Sequence, residues 1–502
     1  MVPDANTTVL HFGLLPVPEL GPAEQAAPDV RLTVRVDIED RSFHAETKGN
    51  GGSEHHFHTH AHTLPDQPGF AFTPAPDRQL RVHASSGLYH PAPEWSHNIP
   101  HPVEASRGQE PCGDAYSPGW FDLPLRPGEP VTVWVSAEPE PPGALPSGRT
   151  PTAREAEAAG MSPGRQPGKR TGGTSLSFEH HLRRAAGDFV VRRDDARTVI
   201  AGYPWFLDWG RDTLICARGL LAGGMVDEVR QFLVAFGRFE EQGTLPNTIQ
   251  GENASNRDTS DAPLWYGIVA EELAAQAQRE GADDPRSTTV DAGRRTVADV
   301  LRSIAVHYVR GTPNGIRMDP ESGLIWSPSH FTWMDTNYPA GTPRAGYPIE
   351  IQALWIRLLR QLDRLGAPAA GEAWARLADR AEASFHSWFW LEDQGWFADA
   401  LLAAPQVPAR TATPDTALRS NSLFPISLRL VRGERARRCV EAAQRHLLVP
   451  GALRSLAPLP VTPPLPIRSA DGRLLNDPNQ PYWGRYEGDE DTRRKPAYHN
   501  GT

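Results

Sequence analysis

Three stretches near the N-terminus alternate apolar and polar residues: VRLTVRVDI at 30–38, QLRVHAS at 79–85 and PVTVWVSAE at 130–138. A period of two puts successive side chains on opposite faces of a strand, and the Pro- and Gly-rich segments between the runs read as turns. The pattern predicts an N-terminal β-sandwich over residues 1–138. His55, His56, His58, His60 and His62 alternate along one face of an expected strand or loop there. Such an alternation could ligate a metal, but no distant Cys or carboxylate partner is evident, so an ordinary solvated strand or loop is expected and no metal.

Periodicity lapses over residues 139–175, where Pro, Gly, Ser and charge dominate, and this stretch reads as a flexible linker. From 176 to 502 the period lengthens to three and four. Val226, Val229, Phe232, Leu233 and Phe236 share one helical face; so do Val297, Val300, Leu301, Ile304 and Tyr308, and so do Ile351, Leu354, Trp355, Leu358 and Leu362. With SFEHHLRRAAGDFVV, TLICARGLLA, PLWYGIVAEELAAQA, AWARLADRAEASFHSWF, SNSLFPISLRL and ERARRCVEAAQRHLL, about nine helices are expected. Their connections alternate between short and long. Such alternation suits a toroid of antiparallel helix pairs, in which the long loops gather at one end and build a site.

Composition narrows the function classes. Lys and Arg number 51 against 61 Asp and Glu, without a basic stripe, which argues against a nucleic-acid or anionic-membrane partner. Cys112, Cys216 and Cys439 are too scattered for a disulfide framework, and no run approaches a membrane span, so a cytoplasmic protein is expected. The 14 Trp outnumber the 10 Tyr, and many sit beside Gly, Pro, Asp or Arg. Indole faces pack on sugar rings as readily as in a protein core, so a carbohydrate joins the candidate ligands.

Three polar stretches carry candidate chemistry. GYPWFLDWGRDT, at 202–213, crowds aromatic residues with Asp208, Arg211 and Asp212 just before a helix. Asp212 or Thr213 is placed to cap that helix, with Asp208 and Arg211 either pointing into a cleft or forming a buried Asp/Arg pair that holds the loop. GTLPNTIQGENASNRDTSDAPLWY, at 243–266, ends in Asp261 and Pro263, which reads either as an N-cap region or as a ligand contact. FTWMDTNYPAGTPRAGYPIEIQALW, at 331–355, sets Asp335 behind Trp333 and Met334, an apolar setting that raises a carboxyl pKa and favours the protonated form a general acid needs. Arg344 and Glu350 are expected to clamp that loop or a sugar hydroxyl.

In this order, GYPWFLDWGRDT, LPN, DAPLW, TWMD, TPRAGYPIEIQALW, RSNSLFPISL, LRSLAP and the final AYHNGT resemble the amylo-alpha-1,6-glucosidase domain of glycogen debranching enzymes. SPGWFDLPLRPGEPVTVWVS, at 117–136, resembles the end of that family's N-terminal β domain. The resemblance implies an (α/α)6 six-hairpin toroid and inverting hydrolysis of the α-1,6-linked glucose at a trimmed branch of glycogen or limit dextrin. It implies that Asp335 is the general acid and that Trp205, Asp208, Arg211 and Asp212 line the glucose subsite. Asp261, Trp333, Arg344, Glu350 and His499 complete the candidate substrate-binding set. No cofactor is expected, because two carboxylates suffice for this reaction.

The family's general base lies in a Glu-bearing segment after AYHNGT, whereas this sequence ends at Thr502. The toroid is therefore expected to be incomplete at its C-terminus and the base to lie beyond residue 502. Glu350, Asp212 and Asp261 are the upstream carboxylates that remain as substitutes.

Overall fold

Short strands form first where apolar residues alternate, and a second class of structure takes over where the period lengthens. The computed structural model describes residues 5–14, 30–41, 45–76, 78–106, 110–126, 128–138, 177–203, 206–250, 253–336, 342–369, 371–469, 471–488 and 495–502. It divides into two compact units, Met1–Ala105 with Glu110–Ser177, and Ser106–Gln109 with Phe178–Thr502. The expected linker lies outside the described residues.

In the first unit an antiparallel sheet runs in the order Thr7–Phe12, Val131–Ser136, Arg78–Ala84, Gly69–Ala75, Ala61–Thr63. A three-stranded sheet pairs Val30–Arg35 and Leu88–His90 with the two edges of Trp120–Leu125. Phe70, Val82 and Val133 from the first sheet share one apolar core with Phe121 and Leu123 from the second. Strand alternation accounts for this, since Val131 and Val133 are buried while Thr132 and Trp134 stay partly exposed.

The histidine run departs from expectation. Gly51–His60 is a helix, started by Asn50, whose side-chain oxygen accepts from the backbone N–H groups of Gly52 and Ser53. Its one buried side chain is Phe57, which stacks on Phe72 and Tyr116 and anchors the helix. Only His62 falls on a strand. Among the described residues no group of three or more His, Cys, Asp or Glu is arranged to hold a metal ion.

The second unit is helical. Helices occur at Phe178–Asp188, Gly210–Ala222, Val226–Arg238, Ala262–Glu280, Val297–Arg310, Ile349–Arg364, Trp374–Trp388, Phe424–Ser427 and Gly433–His446, with a further short one at Lys495–Asn500. The SNSLFPISLRL stretch forms a 3-10 turn, Ser420–Leu423, and a single α turn rather than a full helix. Pro425 has no N–H to donate, which confines it to the start of such a turn. Among the described residues no helix is long and apolar enough to cross a membrane.

Gly210–Ala222 packs on Ala262–Glu280, which packs in turn on Ile349–Arg364. Val226–Arg238, Val297–Arg310 and Trp374–Trp388 flank this central series. Phe232, Phe236, Tyr266, Tyr308, Trp355 and Phe385 are wholly buried between them, each removing enough apolar surface to contribute about 1.5–3 kcal/mol. The connection after Gly210–Ala222 takes three residues, whereas those before Ala262 and Ile349 take 23 and 38. The long connections end at the N-termini of the central helices, so Asp212, Asp261 and Glu350 all sit at helix starts.

Candidate active site

Entry to the first central helix requires a residue without a side chain. Gly210 N donates to Asn247 O at 3.0 Å, and a Cβ at Gly210 would lie 2.6 Å from Pro246 O. A two-residue ladder, Asp208–Trp209 against Thr248–Ile249, fixes the approach. The first helical turn then buries Arg211 and leaves Asp212 at the surface.

Arg211 joins two carboxylates. Its Nε donates to Asp261 Oδ2 at 2.6 Å, and its Nη1 donates to Asp335 Oδ2 at 2.9 Å. The second oxygen of Asp261 accepts from Thr259 Oγ1 at 2.8 Å. Side-chain exposure is 2% at Asp261 and 30% at Asp335, so one guanidinium holds a sealed carboxylate and an accessible one. Burial pushes the Asp335 carboxyl above the usual range, against the opposing pull of Arg211. Crowding by protein atoms shifts Asp212 the same way despite its exposed edge. A raised, accessible carboxyl can hold a proton and deliver it.

The backbone ahead of Asp335 is tied to the start of the second central helix. Ser260 N donates to Phe331 O at 2.7 Å, and Tyr308 OH donates to Ser260 O at 2.8 Å. His330 turns the chain with a φ of 62°, a left-handed conformation that costs a non-glycine residue energy.

A second charged group is bonded to the same segment through Thr332 and Trp333. Arg344 donates from Nη1 and Nη2 to the two oxygens of Glu350, at 2.6 and 2.7 Å, and from Nε to Asp399 Oδ2 at 2.6 Å. All three side chains are sealed from water. Arg344 Nη1 also donates to Thr332 Oγ1 at 3.1 Å. Trp333 Nε1 donates to Asn421 Oδ1 at 2.7 Å, and Asn421 Nδ2 donates to Asp399 Oδ1 at 2.8 Å. Arg419 approaches Asp399 at 3.4 Å and donates to Asn500 Oδ1 at 3.0 Å. Mutual repulsion between Asp399 and Asp415 adds to burial, which comes first, in lifting the Asp415 carboxyl to about 6.

His499 is buried with Nδ1 2.7 Å from Thr342 Oγ1, and its ring meets Trp333 edge-on at 5.8 Å. Burial holds its imidazole well below the usual value, so it is neutral.

Of the sequence-predicted residues, Arg211, Asp261 and Asp335 form the first group, with Asp212 beside it in the chain, while Trp333, Arg344, Glu350 and His499 join the second. Asp208 departs: it is buried and paired with Arg193, whose Nη2 donates to Oδ1 at 2.8 Å, instead of facing a cleft with Arg211. Neither Asp212 nor Thr213 caps the first central helix, whose N-cap is Trp209 without a side-chain bond. Thr213 spends its hydroxyl on Val199 O at 3.3 Å. Asp261 occupies an N-cap position without making the cap bond, because the charge-assisted contact with Arg211 takes its oxygen. Trp205 lies outside the described residues.

Sequence reasoning missed Asp399, Asn421, Arg419 and Thr332. Asp399 had a signal: a lone carboxylate in the apolar run WFADALLAA has to find a partner or lose its charge. Asn421 and Arg419 lie within RSNSLFPISL but carry no local pattern that assigns them a partner. A separate cavity of about 590 Å³, bordered by Met318, Trp326, Tyr347 and Pro405, includes none of the predicted site residues in its wall.

The sequence profile described as amylo-alpha-1,6-glucosidase matches residues 184–462, and that described as glycogen debranching enzyme N terminal matches residues 1–132. A glycogen debranching enzyme of Saccharomyces cerevisiae is 26% identical over 244 residues, covering 37% of this chain and 16% of that protein. A periplasmic trehalase of Escherichia coli is 27% identical over 129 residues, covering 24% of this chain and 22% of that protein. The chain thus spans about a fifth of the length of the curated relatives it matches. Among solved structures, a rhamnosidase from Klebsiella oxytoca with rhamnose bound aligns at a TM-score of 0.41 and 11% identity, over 88% of this chain and 80% of that one. A neutral trehalase from Saccharomyces cerevisiae aligns at 0.35 and 14%, over 52% and 57%. One profile spans more than half of the 502 residues, including all of the first charged group and the Arg344–Asp399–Asn421 network, and the chain belongs to the amylo-alpha-1,6-glucosidase family of glycogen-debranching glycoside hydrolases.

Proposed function

We propose that the protein hydrolyses the α-1,6-linked glucose at trimmed branch points of glycogen or limit dextrin, with inversion and with Asp335 as the general acid. The observation that carries this reading is the unequal treatment of two carboxylates by Arg211: Asp261 is sealed while Asp335 is accessible, with burial raising its carboxyl. The protonated Asp335 gives its proton to the departing glycosidic oxygen, and a water attacks the anomeric carbon from the opposite face. Activating that water takes a second carboxylate roughly 6.5–9.5 Å away. Asp261 and Glu350 have both oxygens engaged by protein donors, so neither fills that role in this reading.

The chain of central helices with flanking partners supports a six-hairpin (α/α)6 toroid. Its cysteines, free at Cys112, Cys216 and Cys439, suit a reducing cytoplasm. The substrate partner is an α-glucan; nucleic acid and membrane play no part in this reading.

A second reading, an inverting glycosidase acting on another α-glucoside, is favoured by the 129-residue likeness to periplasmic trehalase. Free glucose released from limit dextrin, α-1,4 oligosaccharides and trehalose separates the two. Release from limit dextrin alone is expected, abolished in Asp335→Asn with folding and glucan affinity kept. Turnover by Asp335→Asn removes the acid assignment, and preference for trehalose removes the debranching one.

A further inference from the structure

Thr332 and Trp333 are neighbours in the chain, and their side chains are joined again through three buried residues. From Thr332 Oγ1 the path runs to Arg344 Nη1 at 3.1 Å, and from Arg344 Nε to Asp399 Oδ2 at 2.6 Å. From Asp399 Oδ1 it runs to Asn421 Nδ2 at 2.8 Å, and from Asn421 Oδ1 to Trp333 Nε1 at 2.7 Å, which closes a ring. Asp399 uses one oxygen for each arm. Asn421 is the single group that turns an acceptor toward the indole and a donor toward the carboxylate. Met334, between this ring and Asp335, is itself buried, with Sδ 3.5 Å from Asn421 Nδ2.

Such a ring is more than loop ballast. A hydrogen bond to Thr332 alone leaves the chain free to pivot about it, and one to Trp333 alone does the same. Bonds to both, returned to one rigid carboxylate, fix the direction in which the chain leaves toward residue 335. Arg211 then holds Asp335 Oδ2 at 2.9 Å. Buried hydrogen-bonded networks of this kind hold geometry tightly, because each lost bond strands a buried group.

We infer that Asp399 and Asn421 are positioning residues for Asp335, orienting the general acid through two hydrogen-bonded arms that end on Thr332 and Trp333. The inference rests on Asp335 being the general acid. Neither residue needs to touch the sugar, and what they supply is the angle at which the proton is presented. A displacement of about 1 Å at such a group is enough to cost a factor on the order of 100 in rate.

The two arms can be cut separately in the complete polypeptide its gene encodes. Asn421→Ser cuts the Trp333 arm, and Thr332→Val, close in shape to the native residue, cuts the other together with the bond that Thr332 Oγ1 accepts from Met334 N at 3.3 Å. Two substrates are compared: limit dextrin, whose alkoxide leaving group needs a proton, and α-glucosyl fluoride, whose fluoride leaves without one. With thermal unfolding confirming a folded protein, each variant is expected to lose on the order of 100-fold in kcat on limit dextrin. Each should stay within about threefold of the parent on α-glucosyl fluoride, with KM for limit dextrin little changed. A loss shared equally by both substrates, or no loss on either, overturns the inference; should Asn421→Ser not fold, Thr332→Val decides alone. Asp335→Asn serves as the reference. If it also fails to discriminate between the substrates, the acid assignment falls; if it discriminates and the arm variants do not, only the positioning role falls.

Discussion

Replacing Arg211 with Met removes the one cation that Asp261 and Asp335 share. At 2.6 Å, the gross attraction between the guanidinium and Asp261 is about 6 kcal/mol for an effective dielectric constant near 20. The cost of drying both ions offsets most of that in the intact pair, but it is not recovered when only one partner is removed. Asp261, at 2% exposure, is then left charged with Thr259 as its remaining side-chain donor, and stranding a buried ion in this way costs about 3–5 kcal/mol. Asp335, at 30% exposure, can turn to water and contributes at most about 1 kcal/mol. The expected loss for Arg211→Met is therefore about 4 kcal/mol near pH 7. Urea unfolding of the helical unit, followed through Trp265 and Trp355 fluorescence, measures it. Arg211→Met/Asp261→Asn should recover a large part, because the stranded charge is gone. A loss below about 1 kcal/mol, or no recovery in the double variant, refutes this account of the buried pair.

Arg211 lowers the Asp335 carboxyl and burial raises it, so removing Arg211 leaves the acid protonated to higher pH. The alkaline limb of the kcat/KM profile on limit dextrin should move upward in Arg211→Met, and a downward move contradicts the assignment. Gly210→Ala puts a Cβ 2.6 Å from Pro246 O; backbone has to shift, with an expected destabilisation of about 1–3 kcal/mol by thermal unfolding. A Gly210→Ala variant as stable as the parent would show that the loop yields freely at that contact.

Helical period located the core well because each helix buries one continuous face: Phe232 and Phe236, Ile304 and Tyr308, Leu354 and Trp355 all lie in the apolar core. The histidine run was misread because alternation of His with other polar residues carries no burial signal, while the cap supplied by Asn50 does its work over two or three residues. Arg211 and Asp335 were legible from unusual charge among aromatics and from resemblance. Their partnership was not, since 124 residues separate them and nothing local encodes the contact. Asp208 shows the converse limit: an Asp two residues from the helix start looked like a neighbour of Arg211, yet a hairpin at Val190–Val199 delivered Arg193 to it first. Asp399 was recoverable from physics alone, as a charge too deep in an apolar run to lack a counterion.

The ring that closes on Trp333 also orders events in time. Synthesis proceeds from the N-terminus, so a ribosome that has delivered Asp335 has yet to deliver Asp399 and Asn421, 64 and 86 residues later. The helices from Gly210 to Arg310 have their own partners by then and can begin to pack. The posture of residue 335 waits for chain still inside the ribosome, and Thr342 waits longer, for His499, 157 residues on. A growing chain thus acquires its helical bulk well before it holds an aimed acid.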